Sequence, residues 1–206
     1  MNEVGIISYG LGNVQAFLNA YNHLQISCSI IRSPNEMNKF KKLILPGVGT
    51  FDNAVKQLKD KGYWNELNKL VIDKKKPILG VCVGMQIMAL KSEEGLEMGL
   101  NWFKNFKVSK LKNSAKFRVP HIGWNTVKLK NKNLLFSGLD NNYFYFLHSY
   151  KYDQKNEKKC AGSTEYNETF CSALFENNIF GVQFHPEKSH DYGYKFLKNF
   201  ARIQKC

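Results

Sequence analysis

One nine-residue stretch constrains this chain more than any other: Ile78-Leu79-Gly80-Val81-Cys82-Val83-Gly84-Met85-Gln86. An apolar run meets a glycine, then a cysteine, a second glycine and the start of a helical pattern. Glycines around such a turn let the backbone reverse sharply without a Cβ clash. The pattern is that of a nucleophile elbow with cysteine in the place of serine, which presents its side chain at the end of a sheet strand. The helix that follows points backbone N–H groups and its positive dipole end at the sulfur, a setting that suits negative charge there. Cys82 is the candidate nucleophile.

The rest of the N-terminal half alternates in the same style. Strands are expected at Val4–Ser8, Cys28–Arg32, Lys42–Leu45 and Pro77–Val81, with helices at Val14–Leu24, Asp52–Lys59, Trp64–Asp73 and Gly84–Lys91. That alternation predicts an α/β, doubly wound, flavodoxin-like sheet, with the ligand outside the carboxyl ends of the strands. The second half reads as strands at Phe103–Leu111, Asn125–Leu129, Tyr143–Tyr150, Cys160–Glu165, Phe170–Glu176 and Ile179–Phe184, joined by short polar turns. These are antiparallel additions making a mixed sheet. Tyr194–Arg202 closes the chain as a helix. At 206 residues without a linker or repeat, the chain is expected to be one domain over 1–206.

No apolar run reaches the roughly 18 residues that cross a bilayer. Met1–Ile7 lacks a basic region ahead of its apolar residues and reads as a strand, not a signal peptide. The five cysteines, Cys28, Cys82, Cys160, Cys171 and Cys206, are odd in number and scattered, with no CxxC pair or metal-type cluster. Reduced thiols in a cytoplasmic protein are expected, with no metal or cofactor. The formal charge of +13 raises nucleic acid as a partner. However, the lysines are dispersed among asparagines with no aromatic-basic module, so neither nucleic acid nor membrane is expected.

A thiol nucleophile needs a base, and the base an orienting group. Of five histidines, His185 follows the apolar strand Ile179–Phe184 and so sits at a strand end. Pro186 stiffens the loop, and Glu187 can turn back to fix the imidazole. Val83 N–H, directly after the nucleophile, is a natural oxyanion donor, and Pro46-Gly47-Val48-Gly49 can supply the second. Together these parts describe acyl transfer through a thioester, without naming the acyl donor.

The chain resembles the class I, triad-type glutamine amidotransferases in GVCVGMQ followed by FHPEKS. It is similar to the glutaminase subunits of imidazole glycerol phosphate synthases in YGLGN, PGVGTFDNA, SEEG, VPHIGWN and YFLHSY. The resemblance covers nearly the whole chain. It implies hydrolysis of L-glutamine, with Cys82 forming a γ-glutamyl thioester, His185 as base and then acid, and Glu187 orienting it. It implies an oxyanion hole from Val48 and Val83, the Val48 peptide needing to reorient, and substrate contacts from Gly49, Gln86, Ser149 and Tyr150. Gly123, Trp124, Asn125 and Lys188 would face a (β/α)-barrel cyclase subunit, in a heterodimer that passes ammonia to imidazole glycerol phosphate synthesis. Two stretches depart from that pattern: Gly99–Phe103 lacks a glycine-proline turn, and His190-Asp191-Tyr192-Gly193 follows the triad. The latter, together with PGVGTFDNA and the Lys128–Lys132 stretch, resembles paralogues that feed ammonia to a sugar-modifying amidotransferase for surface glycans. A free-standing cysteine hydrolase would need neither Gln86 nor the Gly123-Trp124-Asn125 face, and a catalytically dead subunit would not need the triad.

Overall fold

A computed structural model describes residues 2–104, 106–130, 133–139, 142–152 and 159–203. Cys206 and Lys132 lie outside them. In chain order the elements are β1 (Asn2–Ile7), α1 (Val14–His23), β2 (Cys28–Ile31), β3 (Phe40–Gly47), α2 (Phe51–Asp60), α3 (Tyr63–Asn68), β4 (Ile78–Cys82), α4 (Val83–Gln86), β5 (Lys91–Ser92), β6 (Lys107–Lys110), β7 (His121–Thr126), β8 (Lys128–Leu129), β9 (Tyr143–His148), β10 (Tyr150–Tyr152), β11 (Cys160–Tyr166), β12 (Glu168–Glu176), β13 (Ile179–Val182) and α5 (His190–Arg202). Among the described residues eleven of these strands form one sheet, along the path β2-β1-β3-β4-β13-β12-β10-β6-β5 with β11 and β8 attached. The first five strands of that path are mutually parallel, and β12, β10, β11 and β8 join antiparallel. The mixed, doubly wound sheet is therefore present.

Local chemistry explains the elements that carry the site. Every residue of β4 is buried, as a central parallel strand covered on both faces requires. Helix α2 buries Phe51, Ala54, Val55 and Leu58, an i, i+3, i+4, i+7 stripe, and the Thr50 hydroxyl caps its start at Asn53 N. Asn13 of YGLGN caps α1 through Ala16 N.

The register brings Gly47 of β3 opposite Cys82 of β4, and Val182 of β13 opposite Val81. This pairing needs glycines. A Cβ on Gly47 would strike the Gly84 backbone nitrogen, and one on Gly84 would land on the Leu45 carbonyl oxygen.

Three expectations are corrected. The helix predicted over Gly84–Lys91 stops at Gln86. The carbonyls of Ile87, Met88, Ala89 and Leu90 accept instead from Leu100, Phe103, Asn101 and Gly99 N–H. Gly99 is needed there because a Cβ would collide with the Ala89 carbonyl oxygen. The strand predicted over Tyr143–Tyr150 breaks at Ser149: β9 pairs with β7 in a separate two-stranded sheet, while β10 joins the main sheet. Finally, Cys160 and Cys171 form a disulfide across the β11–β12 hairpin, with Cα atoms 5.7 Å apart. Spacing alone hid the pair, since Cys160 is registered opposite Leu174 and Cys171 opposite Ser163, on either side of an irregularity at Gly162. No helix among the described residues is long and apolar enough to cross a membrane.

Gly84→Ala is expected to cost about 3 kcal/mol or more, since a rigid backbone carbonyl must move. Gly62→Ala, where the new methyl has room and only a left-handed φ of 75° is penalised, should cost about 1 kcal/mol. Urea denaturation of both variants checks the difference, and equal losses would contradict the close-approach account.

Candidate active site

Cys82 takes φ 54° and ψ −114°, a conformation that L-residues rarely adopt and that costs about 1–3 kcal/mol. The strain turns the side chain out of β4 at the start of α4. The thiol can donate to Leu147 O at 3.7 Å, and Gln183 Nε2 donates to the sulfur at 3.6 Å. Since α4 is a single turn, any dipole effect comes from its first N–H groups, not from a long macrodipole.

His185 lies just beyond β13 and is buried. Its N–H donates to Tyr145 O at 2.8 Å, and Ser189 Oγ bonds both His185 O and Tyr145 N. The imidazole Nδ1 is 2.8 Å from Glu187 Oε1. That leaves Nε2, which has no hydrogen-bond partner, for the sulfur of Cys82. Burial works against a charged imidazole. The charge on Cys82 and the Glu187 carboxylate outweigh it and push the His185 pKa up to about 10. Both groups favour the protonated ring, whose Nδ1–H faces Glu187 and whose second proton sits on Nε2.

A cavity of about 260 Å³ opens over the sulfur. Val48, Gly49, Cys82, Val83, Gln86, Ser149, Tyr150 and His185 all line it, so the structure brings together the residues expected for nucleophile, oxyanion hole and substrate. Gly49 has φ +93°, a left-handed backbone that glycine adopts without penalty. Gln86 is buried and spends its amide N–H groups on Tyr150 O and Gln183 Oε1, each at 3.0 Å. Its carbonyl oxygen is the group left for a ligand.

Three lining or supporting residues were not anticipated. Glu94 lines the cavity and accepts from Phe51 N at 2.8 Å. Burial raises its pKa, the Phe51 N–H opposes the rise, and Asp52 adds to it. Gln183 is wholly buried behind the sulfur, and His148 lines the cavity beside Ser149. The signal for Gln183 was strand alternation, which puts it on the same side as His185. Glu94 and His148 sit inside SEEG and YFLHSY, and nothing in those segments singled them out.

The expected partner face separates in two. On β7, Ile122, Trp124 and Thr126 pair with Leu147, Tyr145 and Tyr143 of β9. This outward face carries exposed Ile122, Tyr143 and Leu147 and reaches the cavity mouth, where Val48 is 43% exposed. Trp124 stacks between Tyr143 and His190, and Lys188 Nζ lies 5.8 Å from the Tyr145 ring. Trp124 and Lys188 thus share one patch. Asn125 does not join it: its amide turns inward to Glu165 O, at 3.0 Å. Three consecutive residues of a strand cannot all face one partner. Gly123 occupies the inward row with φ +129°, a backbone conformation that favours glycine. Among the described residues no group of His, Cys, Asp and Glu is arranged to hold a metal ion.

Comparison with known proteins gives a consistent set. The family model described as glutamine amidotransferase class-I matches residues 6–203. The chain is 45% identical over 200 residues to imidazole glycerol phosphate synthase subunit HisH 2 of Methanococcus maripaludis, covering 97% of this chain and 98% of that one. It is 43% identical over 204 residues to the HisH subunit of Bdellovibrio bacteriovorus, covering 97% and 100%. Among solved structures, a glutamine amidotransferase superposes with TM-score 0.74 at 18% identity, covering 98% of this chain and 100% of the other. The glutaminase domain of Trypanosoma brucei CTPS does so with TM-score 0.63 at 14% identity, covering 100% and 96%. At these identities the superpositions speak for the fold alone.

In Cys82→Ala the His185 pKa is expected to fall well below about 10, because the sulfur's charge is gone while burial stays. An NMR titration of the His185 ring checks this. An unchanged value would mean that Cys82 does not hold the proton on the imidazole.

Proposed function

The chain belongs to the class-I glutamine amidotransferase family, and on that footing we propose that it is a glutaminase subunit of an imidazole glycerol phosphate synthase. The observation that carries the chemistry is the buried His185–Glu187 pair aimed at Cys82, at the floor of a cavity sized for one small polar molecule. The relatives of similar full length that bear the HisH name support the pathway. The single glutamine amidotransferase domain is taken to span 1–206, and the biosynthetic character of those relatives favours the cytoplasm.

In the proposed reaction Cys82 Sγ attacks the γ-carboxamide carbon of L-glutamine. The oxyanion is held by Val83 N–H and by the Val48 peptide once it points inward. His185 gives its Nε2 proton to the departing nitrogen, the C–N bond breaks, and a γ-glutamyl thioester and ammonia remain. His185, now neutral, takes a proton from water. The hydroxide adds to the thioester, the C–S bond breaks to restore the thiolate beside the imidazolium, and the new carboxyl group gives its proton to solvent as glutamate leaves. Glu94 suits the substrate's α-ammonium group, Gln86 offers a carbonyl oxygen, and Gly49, Ser149 and Tyr150 complete the wall. No step calls for a cofactor.

The outward face of β7 and β9 is the proposed seat of a cyclase subunit, expected to be a (β/α) barrel in a heterodimer. The exposed apolar residues border the cavity mouth, where a partner collects ammonia before it meets bulk water and is protonated. Trp124 and Lys188 lie at the centre of that face, with Gly123 shaping the strand beneath and Asn125 acting from inside.

Cys82→Ala is expected to lower glutamine hydrolysis about a thousandfold or more, with partner binding retained. Glu94→Gln should raise KM for glutamine about tenfold to a hundredfold and leave kcat nearly unchanged, as loss of a charged contact implies. Steady-state glutaminase assays read both. With the co-purified partner and the ribonucleotide substrate, imidazole glycerol phosphate is expected. Its absence together with capture of a sugar-modifying amidotransferase would overturn the pathway assignment and leave the glutaminase chemistry standing.

A further inference from the structure

The geometry points to a second pair of histidines, His121 and His148, as positioning residues that hold the glutamine cavity in shape through the Tyr150 carbonyl. The inference rests on the glutaminase reading of that cavity.

The two rings form one side of a buried chain of hydrogen bonds. His148 Nδ1 lies 2.8 Å from Tyr150 O, and His148 Nε2 lies 3.0 Å from His121 Nδ1. At the far end His121 Nε2 lies 3.4 Å from Asn125 Nδ2, a long contact. A carbonyl oxygen only accepts, so His148 must carry its proton on Nδ1. Burial lowers the pKa of His148 to about 3 and of His121 to about 4, so both are neutral at pH 7. A neutral ring with a proton on Nδ1 has a lone pair on Nε2. His148 Nε2 therefore accepts, His121 must also carry its proton on Nδ1, and His121 Nε2 accepts from the Asn125 amide. Every donor in this arm points towards Tyr150 O.

Tyr150 O is also where the cavity side begins. Gln86 Nε2 donates to it, and to Gln183 Oε1, and Gln183 Nε2 donates to the Cys82 sulfur. The carbonyl thus takes one donor from the histidine pair and one from Gln86. The His121 ring is clamped face-on between Phe146 and Tyr166, with centroids 4.8 and 3.9 Å away. His148 meets Phe170 edge-on. A clamped ring with one permitted tautomer is a rigid prop. Removing its Nδ1–H leaves a buried lone pair on His148 and frees that ring to adopt the other tautomer, which cannot donate to Tyr150 O. Gln86 then loses the fixed wall against which it aims its carbonyl oxygen.

The test uses the full chain with its partner. His121→Phe keeps a flat ring between Phe146 and Tyr166 and removes both nitrogens. His121→Asn places an amide nitrogen at the same distance from Cα as the imidazole Nδ1. KM for glutamine is expected to rise about tenfold in His121→Phe with kcat within about twofold, as the loss of one buried hydrogen bond implies. Alkylation of Cys82 by iodoacetamide, which needs no glutamine pocket, should be unchanged, and His121→Asn should recover most of the loss. An unchanged KM in folded His121→Phe, or no recovery in His121→Asn, overturns the proposal. A measurement on the unaltered protein stands beside the variants: 15N NMR of the ring nitrogens is expected to show both histidines neutral and protonated on Nδ1 at pH 7. An Nε2-protonated tautomer on either ring also overturns the proposal. Failure of the unaltered complex to hydrolyse glutamine would instead remove the functional reading beneath it, whichever tautomers the rings hold.

Discussion

The close approach of β3 to the elbow governs the site. Gly84 packs against the Leu45 carbonyl and Gly47 against the Gly84 nitrogen, with no room for a side chain on either. Because the backbones touch, Gly47 pairs with Cys82 and the following Val48-Gly49 peptide lies in the same cavity as the sulfur. A wider spacing would carry the Val48 peptide, the proposed second oxyanion donor, away from the Cys82 sulfur. The positive φ of Cys82 belongs to the same constraint. Its strain is tolerable because β4 is buried along its whole length between β3 and β13, which fix the chain on both sides.

The break at Ser149 gives the structure its second organising feature. It lets β9 leave the main sheet and pair with β7, while β10 stays behind to carry Tyr150. The resulting ribbon has two faces of different character. Outward residues form an exposed apolar rim at the cavity mouth. On the other face His121 is buried among aromatic rings and Asn125 is half-buried. The ribbon also lies against Cys82 and His185, since Leu147 O is 3.7 Å from the Cys82 sulfur and Tyr145 O accepts from His185 N–H. A shift of the ribbon under load would therefore be felt at both the nucleophile and the base.

Sequence patterns exposed the parts whose geometry is local. The elbow at Cys82 is a strand, a glycine-flanked turn and a helix start, and each has its own residue signature. His185 and Glu187 are close in sequence, so their contact follows from a short turn. What stayed hidden depends on which distant backbone comes alongside. The end of α4 is decided by Gly99–Phe103, which takes carbonyls that a longer helix would use. The Cys160–Cys171 disulfide joins two strands across an irregular stretch of the β11–β12 ladder, which no spacing rule announces. Glu94 reaches the cavity because its segment packs on the first turn of α2, which is a tertiary fact. Asn125 is grouped with Gly123 and Trp124 by the resemblance, while strand alternation puts its side chain on the other face of β7 from Trp124.

Proton supply and solvent entry are separated in this architecture. The charge of the Cys82 sulfur and the Glu187 carboxylate favour a protonated His185 ring, the proposed source of the proton for the leaving nitrogen. Cys82 and His185 are both buried, so acylation draws on that proton without help from bulk water. Deacylation differs, because a water molecule must reach the thioester. The cavity's rim carries Val48 and Leu147, both exposed hydrophobic side chains. The proposed partner, seated on that rim, would cover the mouth of the cavity through which water and ammonia must pass. On that proposal the exposed apolar residues beside the polar cavity would make the second half of the reaction depend on what is docked there.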